Sequence, residues 1–214
     1  MAHISNERVG SILREYSVSA GKALVDGIQT YIALLLQWNR SISLTTVTDP
    51  EEIVRFHFGE SFFAAASAKI MSGRLADVGS GAGFPGLALA MLIPTLELTL
   101  IESNAKKATF LEEVSRKLSL GHVSVFRGRM EEFGREAAGQ GEPFDYVTAR
   151  AFGQFAELLA WAKNYLAPAG KVCLWLGEAD VSSIMKTDGW CWAEPAPIPG
   201  SKRRFILAGA HRAI

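Results

Sequence analysis

Four glycines fall within eight residues in the run Ala76-Asp77-Val78-Gly79-Ser80-Gly81-Ala82-Gly83-Phe84-Pro85-Gly86. Glycine leaves peptide N–H groups uncovered, so this run lets main chain approach a ligand where a side chain would obstruct it. Pro85 suits a first helical position, where a missing N–H costs nothing. Strand, glycine turn and helix in that order make a nucleoside-cofactor site. Gly81-x-Gly83-x-x-Gly86 also satisfies the dinucleotide pattern G-x-G-x-x-G, yet Arg74-Leu75-Ala76-Asp77-Val78 leads into Gly79, two residues before that register would start. A second acidic residue, Glu102, closes the run Leu96 to Ile101 and lies 23 residues after Gly79. A carboxylate at the end of a second strand can accept both ribose hydroxyl hydrogens.

Periodicity names the elements that must hold these groups. Val9, Ile12, Leu13 and Tyr16 recur at helical spacing, as do Leu24, Ile28, Tyr31, Ile32, Leu35 and Leu36, so two amphipathic helices open the chain. Trp38-Asn39-Arg40 ends the second, and Ser41 to Thr48 reads as a β-rich connection. Asp49-Pro50-Glu51-Glu52 supplies an N-cap, a first-position proline and a capping-box acid, predicting a third helix from about residue 50 to the late 60s. Beyond Gly73 strand and helix alternate, the signature of a parallel sheet covered on both faces. Strands are predicted near 74–78, 96–101, 123–127, 144–149 and 171–176, and helices near 85–93, 104–119, 130–138, 153–166 and 178–187. Two further strand-like runs, 190–196 and 203–209, flank Pro197-Ile198-Pro199-Gly200-Ser201 as a hairpin. Residues 139–143 read as a surface loop. The expected organisation is a helical appendage over 1–72 packed on a core over 73–214, read as one continuous domain.

Composition removes several classes. With 22 basic and 22 acidic residues, no global field advertises nucleic acid, so any RNA contact must be a local patch. Apolar runs such as Leu87 to Ile93 are too short to span a membrane, and Met1 to Gly10 holds no signal-like segment, so a cytoplasmic protein without a membrane partner is expected. Cys173 lies in an apolar strand-like run and Cys191 between two tryptophans, which predicts reduced, packed thiols; the four histidines show no zinc spacing, and no metal is expected.

The run Asp-Val-Gly-x-Gly-x-Gly resembles the S-adenosylmethionine (SAM) motif of class I methyltransferases. The longer series is more specific. It comprises Gln37-Trp38-Asn39-Arg40 before Leu44-Thr45, Asp49-Pro50-Glu51, His57-x-x-Glu60-Ser61 and Asp77 to Gly86. Ile101-Glu102-Ser103 follows, with Lys106-Lys107 and Phe110-Leu111, then Arg127-x-Arg129-Met130-Glu131-Glu132-Phe133 and Thr148-Ala149-Arg150-Ala151-Phe152. In order and spacing this resembles the RsmG (GidB) family of bacterial 16S ribosomal RNA methyltransferases, which methylate N7 of one guanine in the small ribosomal subunit. The family often has asparagine at Ser43, adjoining arginine and histidine where Phe56 intervenes, aspartate at Glu60 and lysine at Leu176.

The resemblance implies an α/β fold of the class I methyltransferase, Rossmann-like type: a seven-stranded sheet with the last strand antiparallel, preceded by the N-terminal helical region. It implies SAM as cofactor and 16S rRNA or the small subunit as partner; nothing in the sequence requires a dimer, so a monomer is expected. Gly79, Gly81 and Gly83, with Ser80 between, would approach the methionine portion; Phe84 would pack on the cofactor, Glu102 would hold the ribose, and Met130 and Glu131 would border the adenine. Arg150, at the end of the fourth strand, would contact SAM; its guanidinium could take the methionine carboxylate, a guanine oxygen or a phosphate, or simply a strand-end ion pair. Guanine N7 carries a free lone pair, so the expected catalyst is alignment, and no catalytic acid or base is assigned. Consistently, no Asn-Pro-Pro-Tyr or Asp-Pro-Pro-Tyr follows the fourth strand. Arg40 and the turn Lys202-Arg203-Arg204 are the candidate RNA contacts. His57 and Glu60 share a helical face as a brace, and Trp38 reads as core. Competing readings are a methyltransferase of a small molecule or protein, a SAM-binding RNA-associated module without turnover and, more remotely, a nicotinamide-dependent oxidoreductase.

Overall fold

The computed structural model describes residues 4–136 and 142–212; 139–141 of the expected surface loop and the end of the helix predicted to 138 lie outside them. Helices α1 (Asn6–Arg14) and α2 (Lys22–Trp38) pack through the apolar positions read from the sequence. The third helix is continuous but changes pitch: α3 (Pro50–Ile53) passes into a π-helical turn (Val54–Gly59) and then α4 (Glu60–Ala68). Asp49 caps it by accepting from Glu52 N–H at 3.0 Å. The change of pitch re-aims the side chains at 56, 57 and 60, and π-turns of this kind collect at functional sites.

Strands β1 (Gly73–Val78), β2 (Leu96–Glu102), β3 (Val123–Arg127), β4 (Phe144–Arg150) and β5 (Leu166–Gly177) pair in parallel. Helices α5 (Gly86–Leu92), α6 (Ala105–Lys117), α7 (Met130–Glu136), α8 (Phe155–Tyr165) and α9 (Glu178–Ile184) cover them. The run predicted as one strand over 190–196 is two, β6 (Trp190–Trp192) and β7 (Ala196–Pro197), and both pair antiparallel with β8 (Arg204–His211), itself antiparallel to β5. Pro195 and Pro197 lack the N–H groups a continuous ladder needs, which accounts for the split. Sheet order is β3-β2-β1-β4-β5-β8-β6, with β7 sharing the edge of β8. The chain reverses direction across the sheet between β1 and β4, the place where open α/β sheets bind ligands.

Strand alternation divides the core. Leu75, Leu98, Leu100, Cys173 and Trp175 face one side, in a single cluster with the buried residues of α1 to α6. Ala76, Val78, Ile101, Val172 and Leu174 face the other, under α8 and α9. The N-terminal helices thus share a core with one sheet face. Cys173 is buried, its thiol pushed up to about 12 by loss of water. Cys191 corrects the expectation of a packed thiol: period two turns Trp190 inward and Cys191 out to solvent, where Arg212 Nε donates to its Sγ at 3.1 Å.

Two further differences bear on the site. Residues 41–48 form no strand; the Asn39 side chain holds them as a loop, its Oδ1 accepting from Leu44 and Thr45 N–H and its Nδ2 donating to Thr45 O at 2.9 Å. Pro85 precedes the first helical residue, Gly86, and follows a cis Phe84–Pro85 bond. Among the described residues no helix is long and apolar enough to cross a membrane.

Candidate functional site

At the carboxyl end of β1, Gly79, Gly81 and Gly83 take φ of +70°, +56° and +85°, the left-handed region that makes glycine necessary there. Gly79 N–H donates to Ile101 O at 2.9 Å, tying the loop to β2, and Ser80 Oγ donates to Asp77 O at 2.7 Å. Glu102 is buried at the end of β2; Gly81 N–H donates to its Oε2 at 2.8 Å and Asn104 N–H to its Oε1 at 2.7 Å. A carboxylate has about four acceptor positions, so two remain for hydroxyl donors such as a ribose diol.

Two cavities meet at Gly79. One, of about 210 Å³, is lined by Ile101, Ser103, Met130, Glu131 and Phe152 among others. The second, of about 620 Å³, is lined by Thr45, His57, Gly81, Phe84, Lys107 and Arg150, with Ser80. The structure therefore brings together Gly79, Ser80, Gly81, Phe84, Glu102, Met130, Glu131 and Arg150, which lie far apart in sequence. A Cβ at Gly81 would meet nothing nearer than 3.7 Å, so this glycine serves open space rather than packing. Cavities on both sides of a bare backbone turn, with a buried acceptor beneath it, fit an adenosyl group joined to an amino acid.

Gly83 is placed differently from expectation. It faces the core, where a Cβ would lie 2.1 Å from Tyr31 Oη. Tyr31, read from the sequence only as a core position, donates from its hydroxyl to Ala82 O at 2.7 Å and stacks on Phe84 at 5.0 Å. Phe84 accordingly packs chiefly on Tyr31, Phe58 and His57. The appendage clamps the glycine loop from behind. Asp77 completes the loop's support, its carboxylate accepting from Thr148 Oγ1 at 2.7 Å and Gly86 N–H at 3.2 Å.

Arg150 is mostly buried. Its Nη1 donates to Phe56 O at 2.8 Å in the π-turn, and its Nη2 lies 3.1 Å from Glu60 Oε2. Glu60, 1% exposed, also meets Arg204 Nη1 at 2.5 Å, a charge contact whose angle falls short of a hydrogen bond. Arg204 in turn lies over the Phe56 ring at 5.1 Å. Burial pushes the Glu60 carboxyl up, opposed by both guanidinium groups. His57 and Glu60, expected to brace as a pair, diverge: His57 Nε2 is 2.9 Å from Thr45 Oγ1 and its ring stacks on Phe84 at 4.7 Å.

The cations sort unequally. Lys202 and Arg203 project from the hairpin turn, Arg203 lying 3.9 Å from the exposed Glu178, whereas Arg204 turns inward to Glu60 and is not a free phosphate contact. Arg55 pairs with Glu15 and Arg127 with Glu112. Arg40 is exposed beside a groove along α2 that adjoins the larger cavity at Asn39. Trp38 is half-buried against Phe110 and donates to Glu113 at 3.1 Å.

Burial and the neighbouring Arg150 charge hold His57 down to about 3, against about 6.5 for a free imidazole. Below pH about 6.5 the unfolded chain takes up a proton that the folded chain refuses, so this stability is complete above that pH and lost toward pH 3. The loss approaches about 1.4 kcal/mol per pH unit. Asp77, pushed up to about 7 by burial, acts oppositely, its contribution falling as pH rises through that value. Urea unfolding from pH 6.5 to 4 is expected to show a steeper acid loss in the wild type than in His57→Gln; equal slopes would mean that His57 protonates freely when folded.

Comparison with known proteins places this geometry. Residues 25–195 match the GidB family model, described as rRNA small subunit methyltransferase G. The ribosomal RNA small subunit methyltransferase G of Xanthomonas axonopodis pv. citri is 39% identical over 173 residues, covering 79% of this chain and 78% of the relative. That of Desulfitobacterium hafniense is 34% identical over 210 residues, covering 97% and 87%. Among solved structures, a precorrin-6y C5,15-methyltransferase from Geobacter metallireducens superposes with a TM-score of 0.56 at 14% identity, covering 81% of this chain and 92% of that one. The glycopeptide N-methyltransferase MtfA, complexed with sinefungin, gives 0.59 at 14% identity, covering 72% and 94%. The last two support the fold alone.

Proposed function

The chain belongs to the GidB family, the small-subunit ribosomal RNA methyltransferases, and from that premise we propose that it transfers a methyl group from SAM to N7 of one guanine in 16S rRNA. The observation that carries this reading is the pair of cavities meeting at Gly79, one suited to an adenosine and the other large enough for a methionine tail and an entering base. Met130 and Glu131 would border the adenine and Glu102 the ribose. Gly79, Ser80 and Gly81 would approach the methionine portion, and Arg150 its carboxylate.

SAM supplies an electrophilic methyl on a sulfonium, and guanine N7 offers an unprotonated lone pair at neutral pH. The protein's work is then to hold the two in line, which can supply roughly 7–11 kcal/mol through orientation. Tyr31 and Asp77 fix the glycine loop, while Glu60 and Phe56 O fix Arg150. Neutral His57 lines the same cavity and adds no charge near the reacting centre. Lys202, Arg203 and Arg40 are the exposed cations we assign to docking the RNA backbone.

The test is incubation with methyl-labelled SAM and small ribosomal subunits lacking guanine-N7 methylation, followed by cleavage of the RNA at N7-methylguanine. One strong site is expected, reduced about a hundredfold by Arg150→Ala, the order of loss that follows misplacement of a reacting group. Neutralising Arg40, Lys202 and Arg203 together should flatten the salt dependence of incorporation. Intact SAM binding without label in the RNA would discard the substrate and retain the cofactor.

A further inference from the structure

Two cations face the larger cavity, and they are differently placed. Arg150 is held in place by Glu60 and Phe56 O. Lys107 is half-buried, lines the cavity, and has no carboxylate partner or side-chain hydrogen bond among the described residues. A cation that lines a cavity without a carboxylate partner is open to an anionic ligand. We propose that Lys107 binds a backbone phosphate of the acceptor nucleotide, at the rim of the cavity where the RNA enters.

Lys107 is rooted in rigid structure. Asn104 Oδ1 accepts from Lys106 N–H at 3.0 Å and Lys107 N–H at 3.2 Å, fixing the first turn of α6. Glu102 joins that turn to the glycine loop by accepting from both Asn104 N–H and Gly81 N–H. The backbone at Lys107 is therefore fixed relative to the glycine loop. The loop anchored by Asn39 and by the Thr45–His57 contact adds exposed Ser43 and Thr46 to the same lining, and their hydroxyls make no hydrogen bond among the described residues. An ammonium and two hydroxyls in one cavity lining suit a phosphate and its sugar, and a compact ammonium binds phosphate as a point charge.

The donor carries one anionic group of its own, the methionine carboxylate. Arg150 is mostly buried, lines the same cavity as the glycine loop and suits that group. Lys107, which comes from α6 and has no part in the Glu60 cluster, is left for an anion of the entering polymer. This assignment rests on the rRNA methyltransferase reading and names part of its acceptor site.

Lys107→Gln should raise KM for small-subunit RNA about tenfold at 0.1 M salt, the size of one charge-assisted hydrogen bond. It should also lower the magnitude of the log–log salt slope of RNA binding by about 0.7 to 1. SAM affinity by calorimetry should stay within twofold, Lys107→Arg should restore most of the RNA affinity, and Lys117→Gln, an equal charge change at the far end of α6, should leave KM unchanged. A tenfold loss of SAM affinity with RNA binding intact would overturn the proposal in favour of the carboxylate. No change in either would make Lys107 an ordinary solvated cation. A wild-type protein that methylates rRNA, with Lys107→Gln indistinguishable from it, refutes this inference alone; a wild type that neither binds nor methylates small-subunit RNA refutes the proposed function as well.

Discussion

Glu60→Ala is expected to lower the free energy of unfolding by about 3–5 kcal/mol, the usual cost of deleting one partner of a buried ion pair. The loss does not come from the attraction itself, which repays little more than the desolvation of the charges. It comes from what remains: Arg150, mostly buried between β4 and the π-turn, keeps its charge and only the Phe56 carbonyl to share it with. Arg204 is half-exposed and can turn to water, so it should tolerate the change better. Urea unfolding followed by tryptophan fluorescence measures the loss, and a value below 1 kcal/mol would class the cluster with exposed ion pairs. Activity separates the two arginines. If Glu60 aims Arg150, Glu60→Gln, which keeps shape and loses charge, should reduce incorporation more than Arg204→Ala does. Equal losses would mean that the cluster only joins helix to sheet.

The second large effect is expected at Gly83. Gly83→Ala places a Cβ 2.1 Å from Tyr31 Oη and 2.7 Å from a Leu87 methyl, at a backbone φ of +85°. Left-handed strain costs about 1–2 kcal/mol, overpacking a further 1–3 kcal/mol or so, and a lost buried hydrogen bond from Tyr31 to Ala82 about 1–3 kcal/mol. A loss of roughly 3 kcal/mol or more should follow. Gly81→Ala is the internal comparison: with φ +56° and open space around the new methyl, it should cost only about 1–2 kcal/mol in stability. It should nonetheless impair SAM binding, because the methyl enters the cavity. Tyr31→Phe removes the oxygen that clashes and should partly rescue Gly83→Ala. If Gly83→Ala proves no worse than Gly81→Ala, the close approach of Tyr31 is not what selects glycine there.

These two positions show how motif and structure divide the information. The spacing of Gly79, Gly81 and Gly83 is readable because left-handed backbone admits few residues, yet spacing does not say which glycine faces a ligand and which faces a tyrosine from α2. The cluster Lys202-Arg203-Arg204 reads as three equivalent cations. In the folded chain they are not: Lys202 and Arg203 are exposed, Arg203 near Glu178, whereas period two along β8 turns Arg204 inward toward a buried carboxylate from α4. Phe56 and Glu60 both belong to this cluster: the Phe56 ring underlies Arg204, and Glu60 spans both guanidinium groups. The loop at 41–48 reads as β-rich from composition, because Ile42, Thr45, Thr46 and Val47 favour strands. A single side chain, Asn39, offers its backbone a nearer set of partners.

The sequence by itself determined the alternation of strands and helices, the glycine turn with its acidic companions, and the family. Each is written in short-range pattern: periodicity, caps and a motif whose members are close in the chain. Only the tertiary structure decided that Gly83 faces Tyr31, that Arg204 turns to Glu60, that Arg150 is held by Glu60, and that Lys107 lines the cavity without a carboxylate partner among the described residues. Those outcomes depend on pairings across 50 residues or more, such as Tyr31 with Ala82 and Arg150 with Glu60. Burial sets the energy of each such pairing, and burial is a property of the assembled core.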